Sequence, residues 1–423
     1  MFSDSDRHTK AFNNNSGYLM SMLLGNCLGL VSVKQWKAVR SGIIKPFEWQ
    51  SVKDYVPLVQ KHIDRLFEQN LGGEILYKRL LDPAEDLKML PFWIVAEILY
   101  GELDQDMVTE LKDIVPLREG LFKRMISGGL TRFSLSRYLP IVVNRDMAAF
   151  QRRWRTFNDR AYARAKTSEK STPPIVRMYE DAHSGLVTFD NVLQTLDECL
   201  FANLDVTTGA MSWNVISLAA NPDYQDKLRQ ELALHRQHHS SASSTEDESR
   251  RQYILNNSNT LLASCVLESA RLRPAAAFSV PQSAPTPRVI DGYVIPAGTD
   301  FIIDAYSLNI HNREFWGADA DVYRPERFLD KNNQGSKNGG KSASVSASAR
   351  YHYWRFGFGP RQCLGKHVAD VIIRSLIAYL VENYELGLLL ESEEGDEGEQ
   401  WRRKPEIWIS HPQMVVRCLS RSR

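Results

Sequence analysis

The sequence predicts a mainly α protein with a small β portion, and three observations carry that expectation. Apolar side chains recur at helical spacing from Asp54 to Arg236. Apolar and polar residues alternate between turn signals from Arg288 onward. Helical spacing returns from Leu364 to Tyr384, where Leu364, Val368, Ile372, Leu376 and Leu380 repeat every four residues.

Each element has a local reason. Asp190 to Leu218 is long, largely apolar and poor in breakers, so one helix buried over much of its surface is expected. Asn221-Pro222-Asp223 ends it, and Asp223 to His235 reads as a charged surface helix. From Arg288 to Ile303 the chain forms short antiparallel strands, with turns at Asp291-Gly292 and Pro296-Ala-Gly298. Residues 237–250 and 331–348 are too polar to bury and are expected as loops or disordered surface insertions. Residues 391–400 read as an acidic turn. The remainder, within 1–423, is read as one domain.

Composition narrows the function. The 423 residues are 43% hydrophobic and 24% charged, with a formal net charge of +1. That balance gives no reason to expect nucleic acid or an anionic membrane as partner. The five cysteines, Cys27, Cys199, Cys265, Cys363 and Cys418, are scattered, odd in number and without a CxxC pair. They suit a reducing compartment and exclude a disulfide framework, a zinc site or an iron–sulfur cluster. No apolar run reaches the roughly 18 residues of a spanning helix.

One cysteine stands apart. In Phe356-Gly-Phe-Gly-Pro-Arg-Gln-Cys-Leu-Gly365, an aromatic, two glycines and a proline precede Cys363, and a helix follows it. Unpaired N–H groups and the positive dipole at a helix start stabilise a thiolate. Gly359 permits a tight backbone that aims N–H groups at the sulfur, Gly365 allows a flat ligand to approach, and Arg361 is placed to pair with an anionic group on that ligand. A lone cysteine is ordinarily an inert buried hydrophobe, and the other four are read so.

Two further constellations contain charge among apolar positions. Leu261, Cys265, Glu268 and Leu272 share one helical stripe, and Arg271 lies within reach of Glu268 at i+3. The pair reads either as a surface ion pair worth under about 1 kcal/mol or as a buried one. Within Cys199-Leu-Phe-Ala-Asn-Leu-Asp-Val-Thr-Thr-Gly209, Asp205 interrupts an apolar helix and shares a face with Thr208. The threonines are able to bond the preceding turn and distort it, which suits proton delivery.

These motifs resemble the cytochrome P450 family. Phe356, Gly359, Arg361, Cys363 and Gly365 match its haem-binding signature Phe-x-x-Gly-x-Arg-x-Cys-x-Gly. Glu268-Ser-Ala-Arg271 and Pro325-Glu-Arg327-Phe match its Glu-x-x-Arg and Pro-Glu-Arg-Phe elements, which implies a structural triad of Glu268, Arg271 and Arg327. The Asp205 segment resembles Ala-Gly-x-Asp-Thr-Thr, except that Asn203 replaces the glycine and Val206 stands at the first threonine. The relay hydroxyl is therefore left open among Thr207, Thr208 and a water. Trp36-Lys-Ala-Val-Arg40 matches a Trp-x-x-x-Arg helix that contacts a haem propionate. Ala276, Ala277, Phe278 and Val280 fall where the family lines its substrate pocket.

The resemblance implies haem b (iron protoporphyrin IX) ligated by Cys363. It also implies electrons from NADPH through a cytochrome reductase flavoprotein, and oxidation of a small molecule with O2, most simply by hydroxylation. Family members carry a longer stretch before the Trp36 helix, including a membrane anchor and edge strands. The expected fold is thus a cytochrome P450 fold lacking its N-terminal anchor and first strands. Full-length members sit on the cytosolic face of the endoplasmic reticulum; for this chain the location is read as cytoplasmic or unassigned. The Asp205 segment and the polar insertions look like filamentous-fungal members of secondary-metabolite pathways. Arg355, Arg361 and Lys366 form a basic cluster for docking the reductase, or a solvated and haem-facing one. The competing reading is a truncated, non-catalytic haem-binding remnant.

Overall fold

A computed structural model describes residues 2–10, 17–71, 79–167, 172–239, 246–256, 260–329, 351–389, 409 and 411–421. Helices dominate, with three small groups of strands, as the periodicities require. The centre is the Val206–Ala219 helix, in which every residue from Met211 to Ala219 is buried. It packs against the Leu261–Leu272 and Lys366–Asn383 helices and the Tyr384–Leu388 strand. Lys366–Asn383 in turn packs against Val56–Asp64, Pro222–His239 and Glu246–Leu255. Two long antiparallel neighbours, Gln105–Ser127 and Val142–Lys166, pair alongside. A buried ion pair ties the first of them to the centre. Arg118 donates to both carboxylate oxygens of Asp197 from Nε at 2.8 and 3.0 Å.

The strands form two three-stranded sheets and a hairpin. Thr9–Lys10, Gln282–Ser283 and Asp300–Phe301 lie side by side, with Lys10 opposite Gln282 and Gln282 opposite Phe301. Leu80–Leu81, Val416–Ser420 and Tyr384–Leu388 make the second sheet. Arg288–Ile290 pairs with Tyr293–Ile295 across Asp291 and Gly292, both at positive φ (51° and 78°), as a two-residue primed turn demands. Among the described residues, no helix is long and apolar enough to cross a membrane.

Two expectations are corrected. The Asp190–Leu218 stretch is two helices, Phe189–Phe201 and Val206–Ala219, joined by a 3₁₀ turn at Ala202–Leu204. The cause is Asn203, whose Nδ2 bonds the carbonyls of Cys199 (2.5 Å) and Leu200 (3.4 Å), competing with the helical ladder. Within 237–250 the ends are helical: Pro222–His239 runs into it and Glu246–Leu255 begins in it. Polarity alone does not stop a helix, and Glu246, Glu248 and Arg250 are good helix formers. Residues 240–245, 331–348 and 391–400 lie outside the described residues.

Candidate active site

The cysteine loop is held by its own backbone. The Cys363 N–H donates to the Phe356 carbonyl (2.9 Å) and the Gln362 N–H to that of Gly359 (3.1 Å). Gly357 and Gly359 both adopt positive φ, 83° and 72°. At Gly359 a Cβ would stand 2.0 Å from the Phe2 carbonyl oxygen, so glycine is required by the close approach of the N-terminal segment. The amide that bonds the sulfur is that of Gly365. The following helix begins at Lys366 with Gly365 as its cap, so Cys363 precedes the helix rather than opening it. The Cys363 side chain is exposed. Crowding by surrounding protein raises its thiol pKa, opposed by the Gly365 amide, Arg40 and Lys366.

Beside the sulfur lies a cationic corner. Trp36 is buried, with the guanidinium of Arg40 at 5.4 Å and that of Arg361 at 5.1 Å from its ring centroid. Arg40 Nη1 donates to the Gln362 carbonyl at 3.3 Å. Arg361 donates its backbone N–H to Ser5 Oγ (3.3 Å) and Nη2 to the carbonyls of Val31 (2.7 Å) and Gly29 (3.4 Å). Its Nη1 is buried without a hydrogen-bond partner. Burial lowers the pKa of both arginines, that of Arg361 to about 10.

Lys10 joins this corner and no motif announced it; strand pairing with Gln282 brings it there. Burial first, and Arg361 second, push its pKa down to about 7. The folded chain thus releases this proton earlier than the unfolded chain, whose lysine titrates near ~10.4. Between those values the unfolded state binds more protons, so stability rises with pH. In haem-free protein, the thermal midpoint of the wild type should climb relative to Lys10→Met from about pH 7 to about pH 9. Parallel curves for the two proteins would exclude a desolvated Lys10.

Glu268, Arg271 and Arg327 come together. Arg271 is bidentate on Glu268, Nε to Oε2 and Nη2 to Oε1, both 2.8 Å. Arg327 Nε reaches Oε1 at 3.2 Å and the Arg324 N–H reaches it at 3.0 Å. Glu268 and Arg271 are fully buried, so the surface-pair alternative is excluded. Arg271 Nη1 bonds the carbonyls of Asn309 and Ala320, and Arg327 Nη1 that of Trp316. The cluster ties the short helical turns Ser307–His311, Arg313–Trp316 and Pro325–Phe328 to the Leu261–Leu272 helix, at some distance in sequence from Cys363.

On the interrupted helix, only one stripe is open. Ala202 and Val206 are exposed, while Thr207 and Thr208 are buried. Thr207 Oγ1 donates to Asn203 Oδ1 at 2.7 Å. Thr208 Oγ1 bonds the carbonyls of Asn203 (3.2 Å) and Lys88 (3.3 Å), so it does not share an open face with Asp205. The Asp205 carboxyl is half-buried; burial and then Glu119 raise its pKa, against Lys88 and Arg118. The stripe lies near the thiol, since Cys199 and Glu198 both interact electrostatically with Cys363.

The expected pocket wall is only partly enclosed. Phe278 is 55% and Val280 45% exposed, Ala276 and Ala277 are half-buried, and Ala277 O accepts the Ala305 N–H at 2.9 Å. The three basic residues around the cysteine loop have partners of their own. Arg355 pairs with Asp370 at 2.5 Å, Arg361 turns inward, and Lys366 Nζ donates to Gln362 Oε1 at 3.0 Å. Cys27, Cys265 and Cys418 are buried, as expected for inert thiols, and Cys199 is half-buried.

Three observations fit a flat, anionic, metal-centred group. Arg361 Nη1 is an orphaned donor amid Arg40 and Lys10. A Cβ on Gly365 would meet nothing within 4 Å, leaving that face open. The one exposed thiol, Cys363, is of the kind a metal ion deprotonates. Among the described residues, no group of three or more His, Cys, Asp or Glu gathers as an alternative metal site. Fold and site together define a helical protein that offers one sulfur and a cationic corner to a planar cofactor.

Comparison with known proteins agrees. The cytochrome P450 family model matches residues 6–408. A cytochrome P450 monooxygenase, aclC of Aspergillus oryzae, is 50% identical over 423 residues, spanning 100% of this chain and 80% of that protein. Another, asaD of Aspergillus flavus, is 45% identical over 422 residues, 100% of this chain and 76% of that one. A zebra fish cytochrome P450 structure with progesterone superposes at TM-score 0.70 with 17% identity, covering 97% of this chain and 90% of that one. The chain belongs to the cytochrome P450 family, and it is an enzyme of the monooxygenase class found in filamentous-fungal secondary metabolism. Membership implies haem, dioxygen, a small-molecule substrate and an electron-supplying redox partner.

Proposed function

We propose that this chain holds haem b through Cys363 and hydroxylates a small organic substrate with O2, drawing electrons from NADPH through a flavoprotein reductase. The observation that carries the reading is the orphaned Arg361 Nη1, beside Arg40, Trp36 and Lys10 and two residues before an accessible thiol. Trp36, Arg40 and Arg361 would hold the acidic side groups, Cys363 the iron, and Gly365 would leave room for the ring. Haem ligated by a thiolate supplies oxygen activation, favouring O–O cleavage.

The chain's own part is proton management and shape. Val206 puts an apolar side chain on the open stripe, and the Thr207 hydroxyl is committed to Asn203. Asp205, whose raised pKa favours retention of a proton on its carboxyl, is then the proton-handling group, with ordered water completing the path. Asp205→Asn should lower substrate turnover by about 10²-fold, in the range of general acid catalysis, and uncouple NADPH consumption from product. Thr207→Ala should leave turnover close to wild type. If Thr207→Ala is the damaging change and Asp205→Asn is silent, this assignment is wrong. The reading as a whole is tested by the spectrum of reduced, carbon-monoxide-bound protein, which must show the red-shifted Soret band of thiolate ligation.

A further inference from the structure

The helix that leads into the Asp205 turn also grips the loop that holds Arg361, and it does so through one polar stripe. Asn191, Gln194, Thr195 and Glu198 lie at i, i+3, i+4 and i+7, so they share a face. Each bonds backbone in the segment 22–29. Asn191 Nδ2 donates to Asn26 O (2.8 Å), and Gln194 Oε1 accepts the Asn26 N–H (2.6 Å) while its Nε2 reaches Met22 O (3.3 Å). Thr195 Oγ1 accepts the Leu28 N–H (3.1 Å), and Glu198 Oε2 accepts the Gly29 N–H (3.0 Å). The loop is closed on itself by Leu30 and Val31 N–H groups bonding Cys27 O, at 3.1 and 3.0 Å.

The last rung reaches the cofactor corner. Gly29 offers its N–H to Glu198 and its C=O to Arg361 Nη2. One residue thus links a carboxyl on the helix to the guanidinium of the cysteine loop. The fit is tight: a Cβ on Gly29 would stand 2.0 Å from Glu198 Oε1. Cys27 donates its thiol to the same carboxyl. Burial raises the Glu198 pKa, opposed by the Gly29 amide, Cys27 and Arg361.

We propose that Glu198 is a positioning residue that fixes the Arg361 guanidinium through Gly29, so that retention of the cofactor's acidic groups depends on it. This rests on the haem reading above. With Glu198 in place, Nη2 stays on Gly29 and Val31, and Nη1 is the donor left for an anion. Without it the loop has lost its last rung, and the Gly29 carbonyl no longer holds its place beside Nη2, leaving Val31 as the one fixed acceptor. Supporting groups of this kind typically cost about 10- to 100-fold in affinity when removed.

The test is haem release from the intact, haem-loaded protein to excess apomyoglobin, followed by absorbance. Glu198→Ala and Gly29→Ala should each speed release by about tenfold or more. Glu198→Gln keeps an oxygen for the Gly29 N–H and should stay close to wild type. The double variant Gly29→Ala/Glu198→Ala should release no faster than Glu198→Ala alone, because the clash disappears with the carboxyl. Wild-type release from Glu198→Ala, equal loss from the Ala and Gln variants, or effects that multiply in the double variant would each overturn the proposal. If Glu198→Ala fails to fold, the Gln and Gly29 variants still decide. A wild-type protein without the thiolate Soret band would instead refute the haem reading, and this inference with it.

Discussion

Cys363→Ser should yield a folded protein that has lost the thiolate Soret band in its reduced, carbon-monoxide-bound form and whose turnover has fallen to background. The expected effect is large because no neighbour can substitute. Among the described residues no metal-binding cluster gathers, and Cys199, whose field reaches Cys363, is a separate half-buried thiol on the facing helix. Serine keeps the shape of the loop, since the Cys363 N–H bond to Phe356 is backbone. It does not keep the donor: a hydroxyl is far less acidic than a thiol, and thiolate is the ligand that pushes electron density toward the iron. Circular dichroism should therefore match the wild type while absorbance and product formation do not. An unchanged Soret band with retained turnover would remove the basis for the functional reading.

Glu268→Ala should be the most damaging change outside the site. It strips the acceptor from Arg271 Nε and Nη2, Arg327 Nε and the Arg324 N–H together, leaving two guanidinium groups without their shared anion. Breaking a buried pair costs about 3 to 5 kcal/mol, against a total stability for a folded chain of roughly 5 to 15 kcal/mol. The cluster holds the residues Asn309, Trp316, Ala320 and Arg324, and Asn309 carries this to the cysteine loop by bonding both the N–H (2.7 Å) and the C=O (2.8 Å) of Trp354. Haem content per polypeptide should fall to near zero, with a lower thermal midpoint. Glu268→Gln keeps the volume and one acceptor oxygen and should retain more of both. Normal haem content in the alanine variant would show that the triad does not support the site.

The legible parts of this protein were those whose partners are near in sequence. The Glu268–Arg271 pair is one helical turn, the Asp291-Gly292 turn is two residues, and the cysteine loop closes between Phe356 and Cys363. Side-chain periodicity placed the helices, although it read through the break at Ala202–Leu204. Asn203 stands out in the sequence only as a replacement for a glycine; that it breaks the helix shows when its amide is seen on the carbonyls of Cys199 and Leu200. The Gly359 requirement was read correctly as a tight backbone, yet its cause is Phe2, which lies more than three hundred residues earlier in the chain.

The amino-acid sequence by itself determined the mainly helical class, the presented thiol and the Glu268–Arg271 pair, because each rests on residue type and short spacing, while Arg327 entered through the family resemblance. Only the tertiary structure decided that Lys10 and Ser5 belong to the Arg361 corner, that Thr207 is spent on Asn203, and that Glu198 and Arg361 meet across Gly29. Apart from the Thr207–Asn203 bond within one turn and the charge–charge contact of Lys10, those contacts join backbone amides and carbonyls to side chains far apart in the chain. A backbone group carries the same hydrogen-bonding capacity at almost every residue, so nothing in the order of side chains marks which amide a distant carboxyl will find.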